Sequence, residues 1–231
     1  MSLIICIYVP TGIVISGDSR TTGTFRHDAN DPKNPDKSII AQTQIVFSDF
    51  AEKVLNVFDK YGIGTFGDAF VNDLPIAHYI EKFEQENSKN PPKTAEDLTG
   101  TLLEYFRKLN AKVGFLVAGY DQNIPFVFGV DVVNNKITRL NLNKDGIINY
   151  GIARGGEADI VNRLMSEEKF HPPFPVMNIQ DAVDFSRHLI RSTIDQMRFE
   201  PRFASVGGDI DTLLITSKGP KFLKRKDIDC K

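Results

Sequence analysis

The chain has 231 residues, 41% hydrophobic and 25% charged, with a formal net charge of −2. That is ordinary for a globular protein with a sizeable core, and acids and bases are spread along it, so charge gives no reason to expect nucleic acid or an anionic membrane as partner. Two cysteines, Cys6 and Cys230, lack metal-ligand spacing and favour a reducing, cytoplasmic setting over a disulfide scaffold, and no run approaches the roughly 18 apolar residues of a membrane span.

The apolar run 3–9 lacks a basic lead-in and stops at Pro10, so it reads as a strand rather than a signal peptide. With residues 13–17 it predicts a hairpin reversing at Pro10-Thr11-Gly12. Residues 26–38 are polar, proline-broken and without periodicity, which predicts an exposed loop within an insertion around 25–44. Strands are expected at 53–58 and 61–66. Phe70, Leu74, Ala77, Ile80 and Phe83 fall at steps of three and four and predict a helix over 70–83. After Pro91-Pro92, Thr94 and Asp97 resemble a capping arrangement ahead of the stripe Leu98, Leu102, Phe106 and Leu109.

Further strands are expected at 113–120, 125–132, 137–140 and 147–150, then a helix near 157–166. Asn178 can cap the next helix, whose buried face includes Val183, Ile190, Ile194 and Met197. Strands at 210–216 and 221–223 end the chain, and the basic run Lys221, Lys224, Arg225 and Lys226 reads as a solvated strand end or tail. No repeat or linker appears, so residues 1–231 form one domain. Short links between consecutive strands favour antiparallel sheets with helices outside. The expected class is α+β: a four-layer αββα sandwich of two antiparallel sheets between helical layers.

Ser2 follows Met1 at the edge of the first strand. A small second residue favours removal of Met1, which frees an α-amine of pKa near 7.7–8.0, a usable proton acceptor for a serine hydroxyl. With Met1 in place the amine belongs to Met1 and Ser2 is blocked.

The segment Gly12-Ile13-Val14-Ile15-Ser16-Gly17-Asp18-Ser19-Arg20-Thr21-Thr22 resembles the second strand of proteasome β subunits. In that family sixteen residues separate the nucleophile from this aspartate, and counting back sixteen from Asp18 reaches Ser2. Lys53-Val54-Leu55-Asn56-Val57 and Tyr61-Gly62-Ile63-Gly64-Thr65-Phe66-Gly67 are similar to the family's lysine strand and the strand after it, with the spacing from Lys53 to Gly67 preserved. Phe115-Leu116-Val117-Ala118-Gly119-Tyr120-Asp121 and Val206-Gly207-Gly208-Asp209 resemble a central strand and a final glycine turn.

This resemblance to proteasome-like N-terminal-nucleophile hydrolases spans most of the chain and implies the following roles. Ser2 attacks a peptide or amide carbonyl through an acyl-enzyme, as in a threonine-type protease with serine as nucleophile. Asp18 orients Lys53 and keeps it charged; Lys53 holds down the pKa of the amine and hydroxyl. The Gly67 N–H stabilises the oxyanion, and Thr21 and Thr65 line a neutral specificity pocket. The resemblance also implies a peptide or protein substrate, a homo-oligomeric ring or related assembly, and no cofactor or metal. It leaves open whether an ATPase partner exists.

The sequence departs from the family in three places. Thirty-four residues lie between Asp18 and Lys53, about twenty more than the family has, with Lys33 and Lys37 as fallback lysines. Gly151-Ile152-Ala153-Arg154-Gly155-Gly156 lacks the serine of the family's Gly-Ser-Gly turn. Asp195 and Ser205 are only candidates for the residues that support the terminal amine.

Two other readings stand beside this one. A catalytically silent structural or assembly subunit would share the same fold. Gly62-x-Gly64-x-x-Gly67 has the spacing of a dinucleotide fingerprint, but no strand with an acidic end follows at the required distance. Gly-x-Ser-x-Gly and Walker motifs are absent, and His27, His78, His171 and His188 have no metal-site spacing.

Overall fold

Seven consecutive buried residues, Leu3–Val9, form strand β1 in the computed structural model, which describes residues 2–31 and 34–226. Burial of every position means that β1 is covered on both faces, so its sequence is continuously apolar rather than alternating. In chain order there follow β2 (Gly12–Gly17), β3 (Thr21–Asp31), β4 (Asn34–Ser48), β5 (Val54–Val57), β6 (Tyr61–Gly67), β7 (Phe70–Val71) and β8 (Leu74–Pro75). Helices α1 (Ile76–Asn87) and α2 (Ala95–Lys108) lead to β9 (Val113–Asp121), β10 (Ile124–Asp131), β11 (Lys136–Arg139) and β12 (Gly151–Gly156). The chain then runs through α3 (Asp159–Leu164), two short 3-10 turns, α4 (Ile179–Met197), β13 (Asp211–Thr216) and β14 (Gly219–Lys224).

One five-stranded sheet has the order β12-β1-β2-β13-β14 and a second has the order β11-β10-β9-β6-β5. All neighbours are antiparallel, and short hairpin links join β1-β2, β5-β6, β9-β10, β10-β11 and β13-β14. Side chains of the two sheets meet in a shared cluster: Ile4, Cys6, Ile15 and Leu213 from the first, and Val54, Leu116 and Val127 from the second. Gly62 and Gly64 on β6 permit the approach. A Cβ there would lie 2.4 Å from Ile215 Cδ1 and 2.4 Å from Ile4 Cγ2, respectively. The fingerprint spacing therefore serves sheet packing, and β6 is followed by β7 and β8 instead of the helix N-terminus that a dinucleotide site needs.

Phe83, Phe106, Leu98 and Ile80 of α1 and α2 pack on Ile63, Phe115 and Phe126. Val183, Ile190 and Met197 of α4 pack on Ile5, Ile7 and Val14 of the first sheet.

The expected four-layer αββα sandwich is corrected by the structure. The protein is mostly β, with 40% strand against 27% helix, and its strands are divided among four separate sheets. Besides the two five-stranded sheets there are two two-stranded ones, β3-β4 and β7-β8. Residues expected as loop form the long β3-β4 hairpin, in which Thr22 faces Val46 and Phe25 faces Thr43. The prolines and charges of 26–38 dominate a local reading, whereas the β-branched and aromatic residues Ile40, Thr43, Ile45, Val46 and Phe47 supply a partner strand of strong β preference.

Two other elements differ from expectation. The first turn of the helix expected over 70–83 is instead β7 and β8, joined through Asn72 and Asp73 at φ +46° and +64°. Two consecutive positive-φ residues are what a tight hairpin turn needs, and asparagine and aspartate tolerate that conformation. The strand expected over 147–150 reduces to a single bridge, Leu142 to Ile148, and the strand itself is β12.

Candidate functional site

β1 and β2 are paired so that Ile4 faces Gly17, which brings the chain entrance beside the end of β2. The next residue, Asp18, is 1% exposed. Its Oδ1 accepts from the Leu3 N–H at 2.9 Å and from Lys53 Nζ at 2.9 Å, and its Oδ2 accepts from the N–H groups of Gly207 at 3.0 Å and Arg20 at 3.2 Å. A buried carboxylate is tolerable only when it is satisfied in this way. The Leu3 N–H and the Lys53 ammonium therefore share one oxygen, and Ser2 is the residue next to Leu3.

Lys53 lies just ahead of β5 and is 5% exposed. Its ammonium also donates to the Arg20 carbonyl, and its own carbonyl accepts from Thr65 N–H at 2.9 Å. Burial pushes this ammonium below the ordinary lysine value; Asp18 pulls it up, while the cations Lys226 and Arg20 push it further down. The pair contributes little net stability as a unit, but removing one partner of such a pair costs about 3–5 kcal/mol.

Ser2 is held by its backbone. Its carbonyl accepts from Glu157 N–H at 2.8 Å, and Leu3 faces Gly156 across the β1–β12 pairing. Gly156 has φ +84°, and a Cβ there would lie 1.8 Å from the Ser2 carbonyl oxygen, so only glycine fits beside Ser2.

Ser2, Thr21, Lys53 and Thr65 all line one cavity of about 400 Å³. The rest of its wall mixes the apolar and aromatic side chains Phe47, Phe50, Phe70 and Ile76 with the acidic residues Glu52, Asp68 and Glu81. The pocket expected to be neutral from the two threonines is therefore also lined by three acidic residues, and β4, the 49–53 link and β7 bring aromatic side chains into it. Phe47 packs edge-on against Phe70 with ring centroids 5.8 Å apart, and against Phe25 at the same distance.

The remaining expected residues lie elsewhere. Gly67 ends β6 at φ +105° and lines an adjoining cavity with Lys112, Val113 and Arg154; its neighbour Phe66 touches both cavities. Asp195 is an exposed residue of α4. Ser205 is 1% exposed, and among the described residues its Oγ has no hydrogen-bond partner. It stands two residues before Gly207, whose N–H binds Asp18. Of the fallback lysines, Lys37 falls within β4, and Lys33 lies outside the described residues, as do Met1 and Cys230.

Two ion pairs beside the site escape a reading of the sequence. Arg20 grips Asp49 through two contacts of 2.7 and 2.9 Å. Lys226, read as part of a solvated tail, is buried against Asp211 and Ser19. The signal for the second pair was faint: an acid opening one strand and a lysine just past the next, with no spacing rule to join them.

No protein-family model matches the chain, and no curated protein does either. Among the described residues no helix is long and apolar enough to cross a membrane, and no group of acidic, histidine or cysteine side chains is arranged to hold a metal ion.

Proposed function

We propose that the chain is an N-terminal-nucleophile amidohydrolase of the proteasome-like kind, acting on peptide or protein substrates once Met1 has been removed. The observation that supports this most is the shared Asp18 oxygen, which takes the Leu3 N–H and the Lys53 ammonium together beside a pocket lined by Ser2. In this reading the Ser2 α-amine accepts the hydroxyl proton, directly or through water, as Oγ attacks the carbonyl. The amine then returns the proton to the leaving nitrogen, and water hydrolyses the acyl-enzyme. Lys53 supplies positive potential that keeps the amine and hydroxyl easier to deprotonate. The Gly67 N–H remains the assigned oxyanion donor, a role worth about 2.7–4 kcal/mol where single donors have been removed. The setting would be cytoplasmic and the working form a homo-oligomer.

Hydrolysis of fluorogenic peptide amides by untagged protein tests this. Activity is expected in the natural chain, reduced to background in Ser2→Ala and partly kept in Ser2→Thr. Equal activity in Ser2→Ala would sink the assignment.

A second reading, a silent assembly subunit, is favoured by the exposed apolar residues Phe25, Ile40 and Val46 on the β3-β4 hairpin. A protein with no Ser2-dependent turnover that nonetheless self-associates would fit it.

A further inference from the structure

We propose that Lys226, delivered from beyond β14, is a positioning residue of the Ser2 site: its buried ammonium locks the turn that carries Asp18 and sets the charge around Lys53. The inference rests on the reading of Ser2 as nucleophile only where it concerns rate.

The geometry is specific. Past β14 the chain folds back so that the Lys226 N–H donates to Asp211 Oδ1 at 2.9 Å while its ammonium meets Asp211 Oδ2 and donates to Ser19 Oγ at 3.1 Å. The Ser19 hydroxyl in turn donates to the Asp209 carbonyl at 2.8 Å, and the Ser19 N–H to the Gly207 carbonyl at 3.0 Å. Ser19 follows Asp18, and Gly207 donates back to Asp18 Oδ2. Lys226 thus ends a chain of contacts that runs through Ser19 to Gly207, whose N–H donates to the Asp18 carboxylate. Arg225, one residue earlier, reaches Glu52, which stands next to Lys53.

A surface lysine could cap the end of β14 without being buried, so tail anchoring alone does not call for this burial. The charged groups around Lys53 come from every side. Asp18 and Arg20 follow β2, and Asp49 and Glu52 lie in its own link. Asp211 opens β13 and Lys226 follows β14, and Asp68, His78 and Glu81 also line the pocket. Among these Lys226 and Arg20 are the cations that oppose protonation of Lys53. Removing the Lys226 charge therefore makes Lys53, and the α-amine beside it, easier to protonate.

The test compares Lys226→Met, Lys226→Arg and Asp211→Asn; the last keeps the Lys226 cation and removes its counter-charge, so it serves if Lys226→Met unfolds the chain. The Lys53 ammonium is titrated by NMR, and β-lactone acylation of Ser2 is followed against pH. Loss of the charge is expected to raise the Lys53 midpoint on the order of one pH unit. The acylation profile should move to higher pH in the same direction, with Lys226→Arg close to the natural chain. Unmoved midpoints in the folded Met variant, or, if that variant fails to fold, a Lys53 midpoint that does not fall in Asp211→Asn, would overturn the proposal and leave Lys226 a plain structural anchor. A shifted Lys53 midpoint with no acylation in any variant would uphold the Lys226 coupling and remove the hydrolase reading instead.

Discussion

Asp18 and Lys53 form a buried pair in which the carboxylate has donors to spare and the ammonium is disfavoured by burial. This has a consequence for stability. Between its lowered folded value and the ordinary lysine value near 10.4, Lys53 binds fewer protons in the folded chain than in the unfolded one. Stability contributed by this group therefore rises with pH across that window, and the penalty is fully present below it. Lys53→Met lacks the titrating group, so urea midpoints on the alkaline side should climb less with pH in the variant than in the natural chain. Parallel pH dependences would contradict the buried-ammonium account. At this scale the sequence showed the Ser2–Asp18 register and the placement of Lys53 ahead of two buried strand residues, Leu55 and Val57. It did not show Lys226, because a basic run looks the same whether its last lysine is solvated or folded back onto an aspartate fifteen residues earlier.

Elements follow from local chemistry where that chemistry is self-contained. Thr94 accepts from Asp97 N–H at 3.1 Å and Asp97 accepts from Thr94 N–H at 3.3 Å, the reciprocal cap that opens α2. Thr94→Ala should cost about 1 kcal/mol, read as a fall in thermal or urea midpoint with the far-UV spectrum preserved. No change in midpoint would mean that tertiary packing alone fixes the start of α2. Asn178 caps α4 without the return bond from the backbone, its side chain accepting from Asp181 N–H at 2.9 Å. Elements that depend on a distant partner were less legible. Residues 26–31 have no apolar period of their own and become strand by pairing with residues 34–42 of β4, Asp28 facing Ile40. Asn72 and Asp73 carried a turn signal, but Phe70 and Leu74 also continued the helical spacing of α1, and the helical spacing was the stronger pattern.

On the scale of the whole molecule, the two five-stranded sheets hold the site from both sides: Ser2 and Asp18 from the first, Lys53 and Thr65 from the second. The β3-β4 hairpin lies outside both sheets and exposes Phe25, Ile40, Val46 and Phe47. A two-stranded ribbon is marginal in water by itself, and apolar residues on it gain from being covered. Sedimentation velocity of the natural chain should therefore show species heavier than the 25.9 kDa monomer, and a chain with its hairpin shortened to a two-residue turn should shift toward the monomer. A monomer in both would contradict the assembly proposal.

Whether Ser2 is a free N-terminal nucleophile is read from intact mass and N-terminal peptide mapping of untagged protein before and after incubation with a β-lactone. Loss of Met1 and a single acyl adduct on Ser2, absent from Lys53→Met, are expected. A chain that retains Met1, or loses it and carries no adduct on Ser2, would contradict the Ser2 assignment.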